Sequence, residues 1–142
     1  AASDRSRLDL LHLSALYSGG ANHSLGAGVD FNGVARETPF RQGAVSYSLD
    51  ALIAAHGPPF PNHIKIDVDG LEPEIIAGAA KTLADRRVRS LRVEINEKLP
   101  SAMSIVATLK DLGFTAVKNP HAGMFDGSPY EHLYNYVFTR SA

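Results

Sequence analysis

Residues 64–74 read Ile-Lys-Ile-Asp-Val-Asp-Gly-Leu-Glu-Pro-Glu, and no other stretch constrains the fold as much. Apolar and polar residues alternate up to two carboxylates and a glycine, which predicts a strand over 64–69. Glu72, Pro73 and Glu74 then suit the first turn of a helix, where acids meet the positive end of the dipole and proline's missing donor does no harm. A strand that runs through a glycine turn directly into a helix is the unit of open α/β sheets. Such sheets place their chemistry at the carboxyl ends of the strands.

The sequence on either side continues the pattern. Ser48 caps a helix predicted over 49–55, with Asp50 in its first turn and Gly57-Pro58-Pro59 ending it. Beyond Glu72, the residues Ile75, Ile76, Ala79, Ala80 and Leu83 recur at helical spacing and give one buried stripe, closed by Arg86 and Arg87 at the negative end. A strand over 91–96, a helix over 101–112 ended by Gly113, and a strand over 114–118 follow. After a turn-rich loop over 119–129 the chain returns through 131–140 with strand composition. That loop is too short for a helical crossover, so the last two strands form an antiparallel hairpin. The expected fold is α/β, a mostly parallel sheet edged by one reversed strand. Upstream, 8–13 is an apolar run of strand length. Residues 17–39 form a Gly-, Ser- and Asn-rich loop longer than ordinary connections, which makes it either functional or poorly ordered.

With 142 residues and 44% apolar content, the chain is expected to form one domain, 1–47 holding a strand and the Gly/Ser-rich loop and 48–142 the α/β core. A net charge of −1 with scattered charges favours neither nucleic acid nor a membrane surface as partner. The absence of cysteine excludes disulfides, thiolate zinc sites and cysteine nucleophiles. No apolar run of about 18 residues and no signal-peptide core are present, so a soluble cytoplasmic protein is the expectation. Methionine occurs only at Met103 and Met124, which suggests a processed chain or a piece of a longer one.

Strand alternation puts Lys65, Asp67 and Asp69 on one side and Ile64, Ile66 and Val68 on the other; Arg92, Glu94 and Asn96 repeat the arrangement opposite Leu91, Val93 and Ile95. A structural reading pairs Lys65 with Glu94 and Asp67 with Arg92, and leaves Gly70 as a turn former. A functional reading uses Asp67, Asp69, Glu72, Glu94 and Asn96, because they fall at strand ends. The upstream glycines do not form a nucleotide cradle. Gly26-Ala27-Gly28-Val29-Asp30-Phe31 has phenylalanine where a third small residue is needed, and Gly28 to Gly33 has Walker spacing but is followed by Val34.

Asp67-Val68-Asp69-Gly70 also invites two other patterns. The haloacid-dehalogenase-type phosphatase motif requires threonine where Leu71 stands and further lysine and paired-Asp motifs that are not evident. An EF-hand loop would place its glycine differently and would lie between helices.

A third pattern covers much more of the chain. The run 48–53, the block Ile64-Lys65-Ile66-Asp67-Val68-Asp69-Gly70-Leu71-Glu72 with its continuation to Ala79, and Leu91-Arg92-Val93-Glu94-Ile95 resemble the FkbM family of S-adenosylmethionine-dependent methyltransferases. The loop carrying Ser18, Gly19, Asn22, Ser24 and Gly26 is similar to a segment of the same family. The resemblance implies a Rossmann-like class I sheet ordered 3-2-1-4-5-7-6, with 8–13 as strand three, 64–69 as strand four, 91–96 as strand five and the final hairpin as strands six and seven. Strands one and two, with the family's glycine-rich cofactor loop, are not found, so the chain corresponds to the C-terminal portion of the catalytic domain.

The implied activity is O-methylation of a sugar, polysaccharide or polyketide-type hydroxyl with S-adenosylmethionine as cofactor. Such a transfer needs alignment, a dry site and a group that takes the hydroxyl proton. Asp67, Asp69 and Glu72 are the candidate catalytic residues, and Lys65, Glu94, Asn96, His121 and Tyr130 the candidate substrate contacts. Asp67 and Gly70 are the candidate cofactor contacts. No metal site is assigned, although hard cations take such carboxylates. The expected partners are a small-molecule or glycan acceptor and the missing half of the domain, or another chain along the strand-four edge. These residues alone are expected to be inactive. The alternatives are a noncatalytic α/β binding or oligomerisation module and, behind it, a haloacid-dehalogenase-like phosphatase.

Overall fold

The chain carries two kinds of strand, and they separate into two sheets. In the structure, a computed structural model that describes residues 1–18 and 22–141, the first part contains β1 (Arg7–Leu13), β2 (Ser24–Leu25) and β3 (Phe40–Ser46). They form a small antiparallel sheet in the order β2-β1-β3. The rest runs α1 (Leu49–His56), β4 (His63–Ile66), α2 (Glu72–Ala77), α3 (Ala80–Ala84), β5 (Ser90–Asn96), α4 (Ser101–Asp111), β6 (Thr115–Asn119) and β7 (Leu133–Thr139). Its strands are ordered β4-β5-β7-β6.

The apolar run at 8–13 is a strand, but it does not behave as strand three of a parallel sheet. It pairs antiparallel from Arg7↔Ser46 to Leu13↔Phe40, and Leu8 and Leu10 remain exposed, whereas strands of a parallel sheet are covered on both faces. The long loop expected over 17–39 is interrupted by β2. Its Gly19-Gly20-Ala21 segment lies outside the described residues.

In the main sheet β4 and β5 are parallel, while β7 runs antiparallel to both β5 and β6. The fold is therefore α/β with a mixed sheet, and the reversed strand is internal rather than at the edge. Burial explains the insertion. Tyr134, Tyr136 and Phe138 stand opposite Ile95, Val93 and Leu91, and Phe138 is fully buried, so the most aromatic strand takes a central place. Leu83, Leu91, Val93 and Leu109 are sealed with it, each such side chain contributing about 1.5–3 kcal/mol.

The stripe predicted as one helix is broken into α2 and α3 at Gly78 and Ala79. A Cβ at residue 78 would lie 2.3 Å from the Ser3 carbonyl oxygen, so the N-terminal segment crosses where the side chain is missing. Ser48 caps α1 as expected, accepting from the Ala51 amide at 3.2 Å. Asp50, in the first turn of α1, does more than expected: its carboxylate accepts from the amides of Lys81 and Thr82 and from the Thr82 hydroxyl, and so caps α3. Arg86 and Arg87 fall beyond the end of α3. Arg87 pairs with Asp85 and lies over the Phe60 ring. Among the described residues no helix is long and apolar enough to cross a membrane.

Candidate functional site

The alternation on β5 divides the chemistry from the core. Leu91, Val93 and Ile95 face the helices, and Arg92 and Glu94 look to the other side. β4 ends at Ile66, sooner than predicted, so Asp67 to Leu71 form a turn into α2. Gly70 makes that turn at φ +95°, a conformation that other residues rarely adopt. Its amide donates to the Val68 carbonyl at 2.9 Å and leans toward Glu72 Oε1 at 3.4 Å.

This turn rims a cleft of about 320 Å³ lined by Phe31, Asp69, Glu94, His121, Phe125, Tyr130, Leu133 and Asn135. Glu94 and Asn135 are cross-strand neighbours on β5 and β7. Phe31 stacks on Tyr130 with ring centroids 5.1 Å apart. His121 meets Tyr134 at 4.7 Å and the edge of Phe125 at 5.9 Å, and its Nε2 donates to the Glu131 carbonyl at 2.9 Å. The loop over 119–132 thus forms one wall and the loop carrying Phe31 another.

Three carboxyls at this place are harder to ionise than usual. Burial raises Glu72 to about 7, with a smaller push from Glu94. Burial also raises Glu94, helped by the charges of Asp67 and Asp69. Asp69 is raised by burial and by Asp67, against the pull of Arg36. Such groups exchange protons closer to neutral pH than free carboxylates do.

Of the residues proposed from sequence, Asp69, Glu94, His121 and Tyr130 converge on the cleft. The ion-pair lattice of the structural reading does not form. Lys65 pairs with Asp67 of its own strand end at 2.5 Å, with both side chains largely exposed, and Arg92 donates to Asn135 Oδ1 at 2.8 Å. Glu72 is buried beneath the turn. Asn96 is also buried, with its amide nitrogen spent on the Phe31 carbonyl and Asn32 Oδ1 and its oxygen on the Lys98 amide. It braces the wall and does not face the cavity.

Residues 8–116 match the Methyltransferase FkbM domain, which covers more than half of the chain. The chain belongs to the FkbM methyltransferase domain family. No curated protein and no solved structure matches it significantly. The FkbM match includes Phe31, Asp69 and Glu94, whereas His121, Phe125, Tyr130, Leu133 and Asn135 lie beyond its last residue. This part of the FkbM cleft is therefore defined by the fold and not by the family match.

Sequence reasoning missed Phe31, Phe125, Leu133 and Asn135. Asn135 and Leu133 enter the site through the long-range register of β7 against β5, which puts them opposite Glu94 and Asn96. Phe31 carries no signal in the sequence beyond its position in a loop longer than ordinary connections.

Proposed function

We propose that this FkbM domain provides the acceptor side of an S-adenosylmethionine-dependent O-methyltransferase acting on a hydroxyl of a sugar, polysaccharide or polyketide-type molecule. The observation that carries the reading is the convergence of Asp69, from the turn that follows β4, and Glu94, near the carboxyl end of the parallel neighbour β5, on one aromatic-walled cleft. That is where open α/β sheets bind ligands. The strand order β4-β5-β7-β6 agrees with the second half of the Rossmann-like order 3-2-1-4-5-7-6, which supports the same reading.

The described residues do not fit the methyl donor. A cradle needs glycines whose missing side chains leave room for a ligand, yet the space at Gly28 is filled by the His12 ring at 2.9 Å and that at Gly26 faces the Asp9 carboxylate at 3.6 Å. The Gly70 amide is already turned to Val68 and Glu72, and Asp67 is engaged by Lys65. In our reading the donor's binding strand lies along the edge of β4, which has no partner other than β5 among the described residues.

Within the cleft, Asp69 takes the acceptor's hydroxyl proton and Glu94 holds the acceptor beside it. Glu72, buried at the start of α2, feels the charge of Glu94, and the aromatic walls exclude water. The free edge of β4 also suits a second reading, a noncatalytic module that adds a strand from another chain. Light scattering after gel filtration separates the two, since an obligate tight complex favours the module.

The test of function is transfer of labelled methyl groups to hydroxylated glycans or polyketides by the protein in its natural sequence context. Asp69→Asn is expected to lower that transfer at least about tenfold, and unchanged transfer sinks the assignment. Calorimetry of the 142 residues with S-adenosylmethionine is expected to show no tight binding. A sub-micromolar signal would show that the donor site has been misplaced.

A further inference from the structure

The lining of the cleft indicates the charge of the acceptor, an inference that rests on the function proposed above. Its polar groups are mostly hydrogen-bond acceptors. Asp69 and Glu94 have no hydrogen bond or ion pair among the described residues. Both ring nitrogens of His121 face oxygens, Nε2 the Glu131 carbonyl and Nδ1 the Ala122 carbonyl with Asp126 Oδ1 at 3.7 Å, so neither is turned to a ligand. Asn135 Oδ1 is taken by Arg92, which leaves its amide nitrogen and the Tyr130 hydroxyl as donors on the wall.

Among the described residues none of the surrounding cations lines the cleft, and each has a partner. Lys65 pairs with Asp67, Arg92 donates to Asn135 and Arg36 donates to the Asn22 carbonyl at 3.2 Å. They reach Asp69 and Glu94, with His23, only as longer-range charges, and Asp67 and Asp30 oppose them. The other walls are aromatic: the Phe31–Tyr130 stack and Phe125. Ring faces attract cations, and a part-buried carboxylate strengthens the attraction through a charge-assisted hydrogen bond. A negative ligand would meet the same carboxylates as repulsion.

We propose that the acceptor is a hydroxylated compound bearing a protonated amine, of the amino-sugar type, its ammonium seated on Glu94 and against the Phe31 and Tyr130 rings. This leaves Asp69 for the reacting hydroxyl.

Saturation-transfer NMR on the 142-residue chain tests this without any methyl donor, using the methyl glycosides of glucosamine, glucose and glucuronic acid at neutral pH. The amino glycoside is expected to bind about tenfold more tightly than the neutral one, and the glucuronide most weakly. Glu94→Gln should bring the amino-to-neutral ratio near one, and Glu94→Asp, which keeps the charge, should retain a preference. Tyr130→Leu, which leaves every charge in place, should also reduce it. Equal binding of the amino and neutral glycosides, preference for the glucuronide, or no transfer to any of the three overturns the proposal. None of those results bears on methyl transfer, which the Asp69→Asn assay decides separately.

Discussion

Asn96 donates its side-chain amide to the Phe31 carbonyl oxygen at 2.9 Å, across 65 residues of sequence. The last residue of β5 therefore holds the loop that supplies one aromatic wall of the cleft. The same amide reaches Asn32 Oδ1 at 3.0 Å, and the Asn96 oxygen accepts from Lys98 at 3.0 Å. Asn96→Ala removes all three bonds from a buried position and is expected to cost about 1–3 kcal/mol. Urea unfolding measures the cost. Loss of the ring-current shifts between Phe31 and Tyr130 in NMR would show that the wall has moved, and unchanged shifts would contradict the bracing role.

The approach of the N-terminal segment to the α2–α3 break makes a contrast between two glycines. At Gly78 an added Cβ would lie 2.3 Å from the Ser3 carbonyl oxygen and 2.9 Å from Ser48 Cβ. Gly78→Ala should cost about 1–3 kcal/mol through overpacking and should speed amide exchange at Ser3, which donates to Tyr47. Gly113 has φ +87° and nothing within 4 Å of the same position. Gly113→Ala should cost only about 1 kcal/mol, through backbone strain alone. Equal costs in chemical denaturation would remove the argument for close packing at residue 78.

The difference between what was legible and what was not lies in the range of the forces involved. α4 and the β5 face pattern follow from local periodicity, and Leu91, Val93 and Ile95 are buried as their alternation requires. Asp69 and Glu94 could be chosen because position at a strand end is itself a local property. β3 could not be foreseen. Its residues Phe40 to Ser46 have no apolar alternation and are mostly exposed, so only pairing with β1 makes them a strand. Phe31 was invisible for a related reason: its place depends on Asn96, far away in sequence. The division of the chain into two sheets is likewise a matter of which strands find partners, which composition does not encode.

Asp50 links α1 to α3, and its effect should depend on pH. Burial works against its ionisation, but hydrogen bonds from the Thr82 hydroxyl and from the Lys81 and Thr82 amides outweigh it and hold the carboxyl below its ordinary value of 3.8. A lowered native value means that ionised Asp50 stabilises the fold above pH 3.8 and that this contribution is lost as the pH falls through the lower native value. Asp50→Ala is expected to cost about 1–2 kcal/mol at neutral pH, with a smaller difference from the parent in strong acid. Thermal melts across that range check the trend, and a constant difference would show that the carboxylate's charge is not what caps α3.

Glu72 has the opposite linkage. It is only 6% exposed, and burial lifts its carboxyl from 4.5 to about 7. The native state then binds its proton more tightly than the unfolded chain does. Below pH 4.5 both states hold the proton and there is no penalty; between 4.5 and about 7 the unfolded chain ionises first, and above that the full penalty is present. Glu72→Gln removes the charge while keeping the shape, so it should raise stability by about 1–3 kcal/mol near pH 8 and leave it unchanged in acid. Its charge and that of Glu94 act on each other, so the same substitution should also alter methyl transfer. A variant that gains stability only at high pH and changes activity would therefore tie the folding cost of this residue to its coupling with Glu94, while a gain of equal size at every pH would assign the effect to packing.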